Sequence, residues 1–170
     1  MDNFKERLKN IKAFVFDVDG VFSSNIFLHP NGDMLRSINT KDSFALYYAV
    51  NEADFIACII TGGYSEAVSE RFRAIGLTDI YIKSTNKLED FEDFMYKYDL
   101  KKEQVLYMGD DLPDYEVMKA VGVPTCPSDA AEEIKAISVY ISDKKGGHGC
   151  VRDIIEQVLR AQGKWLKFDK

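Results

Sequence analysis

The chain has 170 residues, enough for one domain of ordinary size with its own hydrophobic core. Apolar residues make up 46% and charged residues 29%, a globular rather than a disordered composition. With 22 basic against 28 acidic side chains the net charge is −6, which argues against the basic face that nucleic-acid binding needs.

Apolar runs such as 55–60 are strand-sized, and none approaches the roughly 20 residues of a membrane span. No charged-then-apolar leader with a small-residue cleavage site opens the chain. The expectation is therefore a cytoplasmic protein. Cys58, Cys126 and Cys150 are an odd, widely spaced set with no CxxC pair. They fit free thiols in a reducing compartment, not a disulfide frame or a zinc site.

In chain order, the first element is the apolar run Ala13-Phe14-Val15-Phe16, a buried-strand signature. The segment from about 22 to 40 breaks the rhythm that follows. It has strand-forming residues on both sides of Asn31-Gly32, the strongest short hairpin signal, so it reads as an inserted β-hairpin. Further strands are expected over 55–60, 105–108 and 139–141, with weaker signals at 80–82 and 123–126. Amphipathic stretches at about 43–52, 65–75, 87–98, 114–121, 130–136 and 152–161 read as helices. Gly76 and Gly122 lie just past helix ends, where a left-handed cap favours glycine. Strands alternating with helices imply an α/β, Rossmann-like, mainly parallel sheet with helices on both faces. No repeat, linker or low-complexity run divides the chain, so residues 1–170 read as one domain, with a glycine-rich loop and helix at about 146–162.

The chemistry-bearing motifs sit where strands end. Asp17-Val18-Asp19-Gly20 follows the first strand and sends two carboxylates out together. Such a pair suits phosphoryl transfer: one carboxylate attacks phosphorus, and the other protonates the leaving alcohol and then deprotonates water. A polar strand-to-loop cap would use the same residues. Gly109-Asp110-Asp111-Leu112-Pro113-Asp114 follows another strand. Its acids repel one another unless a hard divalent cation offsets them, and oxygen donors of this kind suit Mg²⁺. Asp114, and Asp111 with it, fits a helix N-terminus equally well, which leaves Asp110 as the preferred ligand.

Thr61-Gly62-Gly63 offers a hydroxyl and backbone N–H groups before a helix, either an anion site or a plain loop. Lys87 opens a helix, where the dipole disfavours a cation, so a phosphate or a carboxylate is its candidate partner; a solvated surface lysine is the alternative. Gly146-Gly147-His148-Gly149 permits close backbone approach to another surface or a ligand, and it also fits a flexible loop. His29, beside Pro30 in the hairpin, reads as exposed turn decoration.

The order of these motifs, DxDG, then TG, then Lys, then GDDxxD, resembles the haloacid dehalogenase superfamily of phosphatases over residues 11–160. The resemblance implies that Asp17 is the nucleophile, Asp19 the acid/base, and Thr61, Gly62 and Lys87 the phosphoryl-holding groups. It also implies a Mg²⁺ ion held by Asp17, the main-chain carbonyl of Asp19, and Asp110. The hairpin and the 61–87 stretch are too short for a cap domain, so the chain resembles the capless subgroup.

Within that subgroup the pattern is similar to the 3-deoxy-D-manno-octulosonate 8-phosphate phosphatases, which serve lipopolysaccharide precursor synthesis. The matching pieces are Asp17 to Val21, the Asn31-Gly32 hairpin, Asn39-Thr40-Lys41-Asp42, Gly109 to Asp114, and Gly146 to Arg152. The similarity implies a tetramer in which hairpins form a barrel and a neighbour's tail covers the site. A sister branch acts on the nine-carbon 2-keto-3-deoxynononate 9-phosphate. It tends to carry an acid after Thr-Gly and a later lysine, where this chain has Gly63 and Ala74. Many eight-carbon enzymes carry an Arg after Thr-Gly, which Gly63-Tyr64 replaces here.

Candidate substrate contacts are Thr40, Gly63, Arg71 and Arg152. Thr40 would serve otherwise as a helix cap, Arg71 as a solvated helix residue, and Arg152 as an anchor for the glycine loop. Another sugar phosphate, a phosphoprotein, or a non-catalytic oligomeric or regulatory role are the competing readings. The presence of all of Asp17, Asp19, Lys87 and Asp110 argues against the last.

Overall fold

The computed structural model describes residues 3–166. The apolar run at its centre, β1 (Ala13–Phe16), is buried at every residue because helices cover both faces of the sheet. Alternate side chains enter different cores. Phe14 and Phe16 join one cluster, and Ala13 and Val15 join the other.

Six strands form a parallel sheet in the order β5-β4-β1-β6-β7-β8. They are β4 (Ile56–Ile60), β5 (Asp79–Tyr81), β6 (Val105–Met108), β7 (Val123–Cys126) and β8 (Tyr140–Ile141) around β1. The helices α2 (Thr40–Asn51), α3 (Glu66–Ile75) and α7 (Cys150–Ala161) contribute to the first core. The second core is shared by α4 (Lys87–Lys97), α5 (Tyr115–Ala120) and α6 (Glu132–Ile137). The architecture is the expected Rossmann-like one.

Chain direction places the site. From β1 the chain builds β4 and β5 on one side, then returns to lay β6, β7 and β8 on the other. Ligands of open α/β sheets bind at such a switch point, outside the carboxyl ends of the strands. Phe16 pairs in register with Ile59 of β4 and Met108 of β6, so Asp17, Thr61 and Gly109 leave the sheet at nearly one level.

The expected hairpin is present as β2 (Ser23–Leu28) and β3 (Met34–Ile38), an antiparallel ribbon separate from the main sheet. Asn31-Gly32 forms part of its tip, with Gly32 at φ 93°. Outside the site the ribbon is apolar and uncovered: Phe27 is 56%, Leu28 80% and Leu35 53% exposed.

Several boundaries differ from expectation. A short helix, α1 (Phe4–Leu8), precedes β1; it is too brief to show a periodicity, and it packs by stacking Phe4 on Tyr140 at 4.8 Å. Helix α2 begins at Thr40, not near residue 43, because the Asn39 side chain accepts from the Lys41 N–H and caps it there. Gly76 is the expected left-handed cap at φ 115°. Gly122 is not among the residues of positive φ. A Cβ there would lie 2.5 Å from the Lys102 carbonyl, so backbone approach explains that glycine.

Candidate active site

The ends of β1, β4 and β6 surround a cavity of about 750 Å³ lined by Asp17, Asp19, Thr61, Lys87 and Asp110 among others. Asp17 leaves β1 with its Oδ1 accepting from the Val18 N–H at 2.7 Å, which fixes the carboxyl against its own backbone. Its Oδ2 lies 3.0 Å from the Lys87 ammonium.

Lys87 is buried and bridges Asp17 and Asp114, reaching the Asp114 Oδ1 at 2.7 Å. Burial alone would lower its pKa, but the two carboxylates raise it above the ordinary lysine value. The lysine at the opening of α4 thus has buried carboxylate partners and is not a solvated surface residue.

Asp114 is wholly buried and accepts on both oxygens. Oδ1 takes Lys87 and, at 2.6 Å, the Tyr107 hydroxyl. Oδ2 takes the main-chain N–H groups of Asp110 at 3.1 Å and Asp111 at 3.4 Å. It therefore organises both the lysine and the acidic loop. Neither its role nor that of Tyr107 is visible in the motif, since Tyr107 reads only as a core residue of β6.

Asp17, Asp110 and Asp114 each offer an oxygen within 4.8 Å of the others. Burial first, then the neighbouring carboxylates, pushes Asp17 up to about 7 and Asp110 up to about 8. One lysine faces three acids, a surplus of negative charge that a hard dication would offset. Asp114 already accepts four bonds, whereas Asp17 accepts one on each oxygen, so Asp17 and Asp110 are the carboxylates with lone pairs left to ligate. Gly20, at φ 85°, makes this packing feasible, because a Cβ there would overlap the Asp110 carboxylate at 1.8 Å.

Asp19 projects beside Asp17. Arg36 of β3 holds it by both oxygens, Nε to Oδ1 at 2.6 Å and Nη2 to Oδ2 at 3.1 Å, and the Ser23 hydroxyl also reaches Oδ1 at 3.2 Å. Arg36 is not legible as a site residue; in sequence it is one charged position of the inserted hairpin. Thr61 is buried at the end of β4, with its hydroxyl accepting from the Gly63 N–H at 3.3 Å. Gly62 and Gly63 line the same cavity. The glycine loop packs behind the site: Gly146 and Gly147 abut the backbones of Gly20 and of Ser23-Ser24, too closely for a Cβ on either.

The remaining candidates do not line this cavity. Arg71 is exposed on α3, and Thr40 is exposed at the start of α2. Arg152 has its guanidinium 5.4 Å from the Trp165 ring and 6.0 Å from that of Phe44. His29 is exposed at the hairpin tip. The three cysteines are buried and unpaired.

Residues 44–154 match the model of the haloacid dehalogenase-like hydrolases. Over 159 residues, 93% of this chain and 84% of the other, the chain is 35% identical to the 3-deoxy-D-manno-octulosonate 8-phosphate phosphatase of Escherichia coli. It superposes on the crystal structure of the Yersinia pestis phosphatase of that name with a TM-score of 0.92, at 32% identity, covering 96% of this chain and 88% of the other. The Moraxella catarrhalis phosphatase of that name, crystallised with magnesium, phosphate and a KDO molecule, superposes with a TM-score of 0.90 at 31% identity, covering 96% and 94%. The chain belongs to the haloacid dehalogenase-like hydrolases and is an enzyme of their phosphatase branch. Among the described residues no helix is long and apolar enough to cross a membrane.

Proposed function

We propose that this chain is a Mg²⁺-dependent phosphatase that hydrolyses 3-deoxy-D-manno-octulosonate 8-phosphate to the free sugar acid and phosphate, as a step of lipopolysaccharide precursor synthesis in the cytoplasm. The observation that carries it is Asp17, which is anchored by Val18 and paired with a buried Lys87 in a cluster of acids at the sheet's switch point. The substrate class is supported by similarity over more than nine-tenths of the chain to phosphatases of that name.

The Asp17 carboxylate attacks phosphorus while the bond to the 8-oxygen breaks, and Asp19 delivers a proton to that oxygen. Water then attacks the aspartyl phosphate, Asp19 takes the water's proton, and phosphate leaves with Asp17 regenerated. Lys87 balances charge on the nucleophile and the transferring group, and Thr61 with the Gly62 backbone holds the phosphoryl oxygens. Asp17, the Asp19 main-chain carbonyl and Asp110 would hold Mg²⁺, which supplies charge neutralisation between the carboxylate and the phosphate.

The reaction sits on a single domain without a cap, and the exposed apolar hairpin supports a homotetramer whose neighbours wall the site. Thr40, Gly63, Arg71 and Arg152 are its candidate substrate contacts, those outside the cavity acting across subunits. Phosphate release from the eight-carbon ester, the nine-carbon 9-phosphate and a phosphopeptide tests the reading. The eight-carbon ester should be preferred by kcat/KM and lost in Asp17→Asn. Equal slow rates on all three, or full activity of Asp17→Asn, refutes it.

A further inference from the structure

The hairpin brings one cation into the site. Arg36 comes from β3, opposite Ile26, where the register of the ribbon shifts between Ser23 and Ile26. Its side chain is 4% exposed, and its guanidinium meets the Asp19 carboxylate two-on-two. A third donor, Nη1, bonds the Met34 carbonyl at 3.0 Å and locks the fork to the strand that carries it. Among the described residues its one ion-pair partner is Asp19. The stem sits with Val18, Val68 and Ile82 around a small void under the Thr61 loop. A buried arginine with one carboxylate partner is expensive to remove from water, and its planar fork fixes that partner's orientation where an ammonium would not.

Position 63 is built around this pair. A Cβ on Gly63 would lie 3.0 Å from the Arg36 Nη2 and 3.2 Å from the Asp19 Oδ2, tighter than ordinary contact. The bare backbone leaves room for the guanidinium and keeps Oδ2 toward the cavity that Thr61 and Gly62 line. The two oxygens of Asp19 are unequal. Oδ1 accepts from both Arg36 Nε and Ser23 Oγ, whereas Oδ2 accepts only Nη2. Each carboxylate oxygen offers two lone pairs, so Oδ2 retains one for a proton in transit.

We infer that Arg36 is a positioning residue for Asp19: it pins Oδ1 and presents Oδ2 of that carboxylate to the leaving oxygen and then to the attacking water. This deepens the proposed phosphatase reading and rests on Asp19 as its acid/base group. Arg36 touches neither phosphorus nor metal; it acts through Asp19.

The test is a double-mutant cycle on the full-length protein with Mg²⁺, following phosphate release from 3-deoxy-D-manno-octulosonate 8-phosphate. Arg36→Met should lower kcat by about 10- to 100-fold, the order of loss expected when a catalytic group is displaced by an ångström, with KM within about 3-fold of the parent. In the Asp19→Asn background the same change should alter residual kcat by less than about 2-fold, because the group it positions is gone. Arg36→Lys keeps the charge but loses the fork, so its kcat should fall between Arg36→Met and the parent; it also carries the test should the methionine variant not fold.

A rise in KM at constant kcat would make Arg36 a substrate-binding group and overturn the inference. An equal loss in both backgrounds would make it structural and overturn it too, as would parental kcat in Arg36→Lys. An inactive parent, or an Asp19→Asn variant as active as the parent, would instead refute the underlying phosphatase reading.

Discussion

Asp114→Asn is the sharpest perturbation of the site, because that side chain accepts four bonds and is wholly buried. An amide has one acceptor oxygen, and its nitrogen only donates. If the oxygen stays with Lys87 and Tyr107, the NH₂ group faces the Asp110 and Asp111 N–H groups and leaves both without an acceptor. Each stranded buried donor costs about 1–3 kcal/mol, so roughly 2–6 in total. The opposite orientation points the NH₂ at the Lys87 ammonium and is worse, because breaking a buried ion pair costs about 3–5 kcal/mol. Removing the negative charge of Asp114 also relieves repulsion on Asp17 and Asp110. That relief returns part of the loss and leaves a net of about 1–4 kcal/mol.

Urea unfolding in saturating Mg²⁺ should show the unfolding free energy reduced by that amount, through a lower midpoint at an unchanged slope. The acidic loop also loses its tether, so kcat should fall by about 10-fold or more. A stability change below about 0.5 kcal/mol, typical of an inert surface site, together with parental kcat, would refute the organising role given to Asp114.

Metal and pH should act together. Asp110 holds its proton up to about 8 in the folded chain against 3.8 for an ordinary aspartate, and Asp17 behaves similarly up to about 7. Between those limits the native state binds more protons than the unfolded state, so the stability of the metal-free protein falls as pH rises from near 4 toward 8. The melting temperature gained on adding Mg²⁺ should be larger at pH 8 than at pH 5; equal gains would contradict the cluster's reading as a cation site. At the hairpin, a Phe27→Asp/Leu28→Asp double variant should leave the melting temperature almost unchanged, since both side chains are exposed. It should lower the mass measured by light scattering, and an unaltered mass would remove the hairpin from the subunit interface.

The local parts of this protein are readable from the chain because their causes are local. Ala13 to Phe16 must be a strand buried on both faces, since four apolar residues followed by Asp-Val-Asp-Gly leave no helical face. Asn31-Gly32 announces a turn, and Gly76 a left-handed helix end. Motifs at strand termini point to the carboxyl edge of the sheet, and Asp17, Asp19, Thr61, Lys87 and Asp110 do gather there. Where the sequence misleads, the cause is distant. Gly122 answers to Lys102 in the helical turn before β6, and α2 starts early because the Asn39 side chain caps it.

What the tertiary structure alone decides is which of many charged residues share a site. Arg36 lies 17 positions along the chain from Asp19, a spacing with no helical or strand periodicity to mark it; the shifted hairpin register brings the two together. Asp114 and Tyr107 meet because β6 and the loop after it close around Lys87, although each alone reads as a helix start or as core. Arg152 lies outside the cavity, with its guanidinium near the Phe44 and Trp165 rings, a neighbourhood that its place in the sequence does not announce. Periodicity and turn chemistry are encoded within a few residues of one another. Electrostatic partnership depends on through-space distance, and only the folded chain sets that.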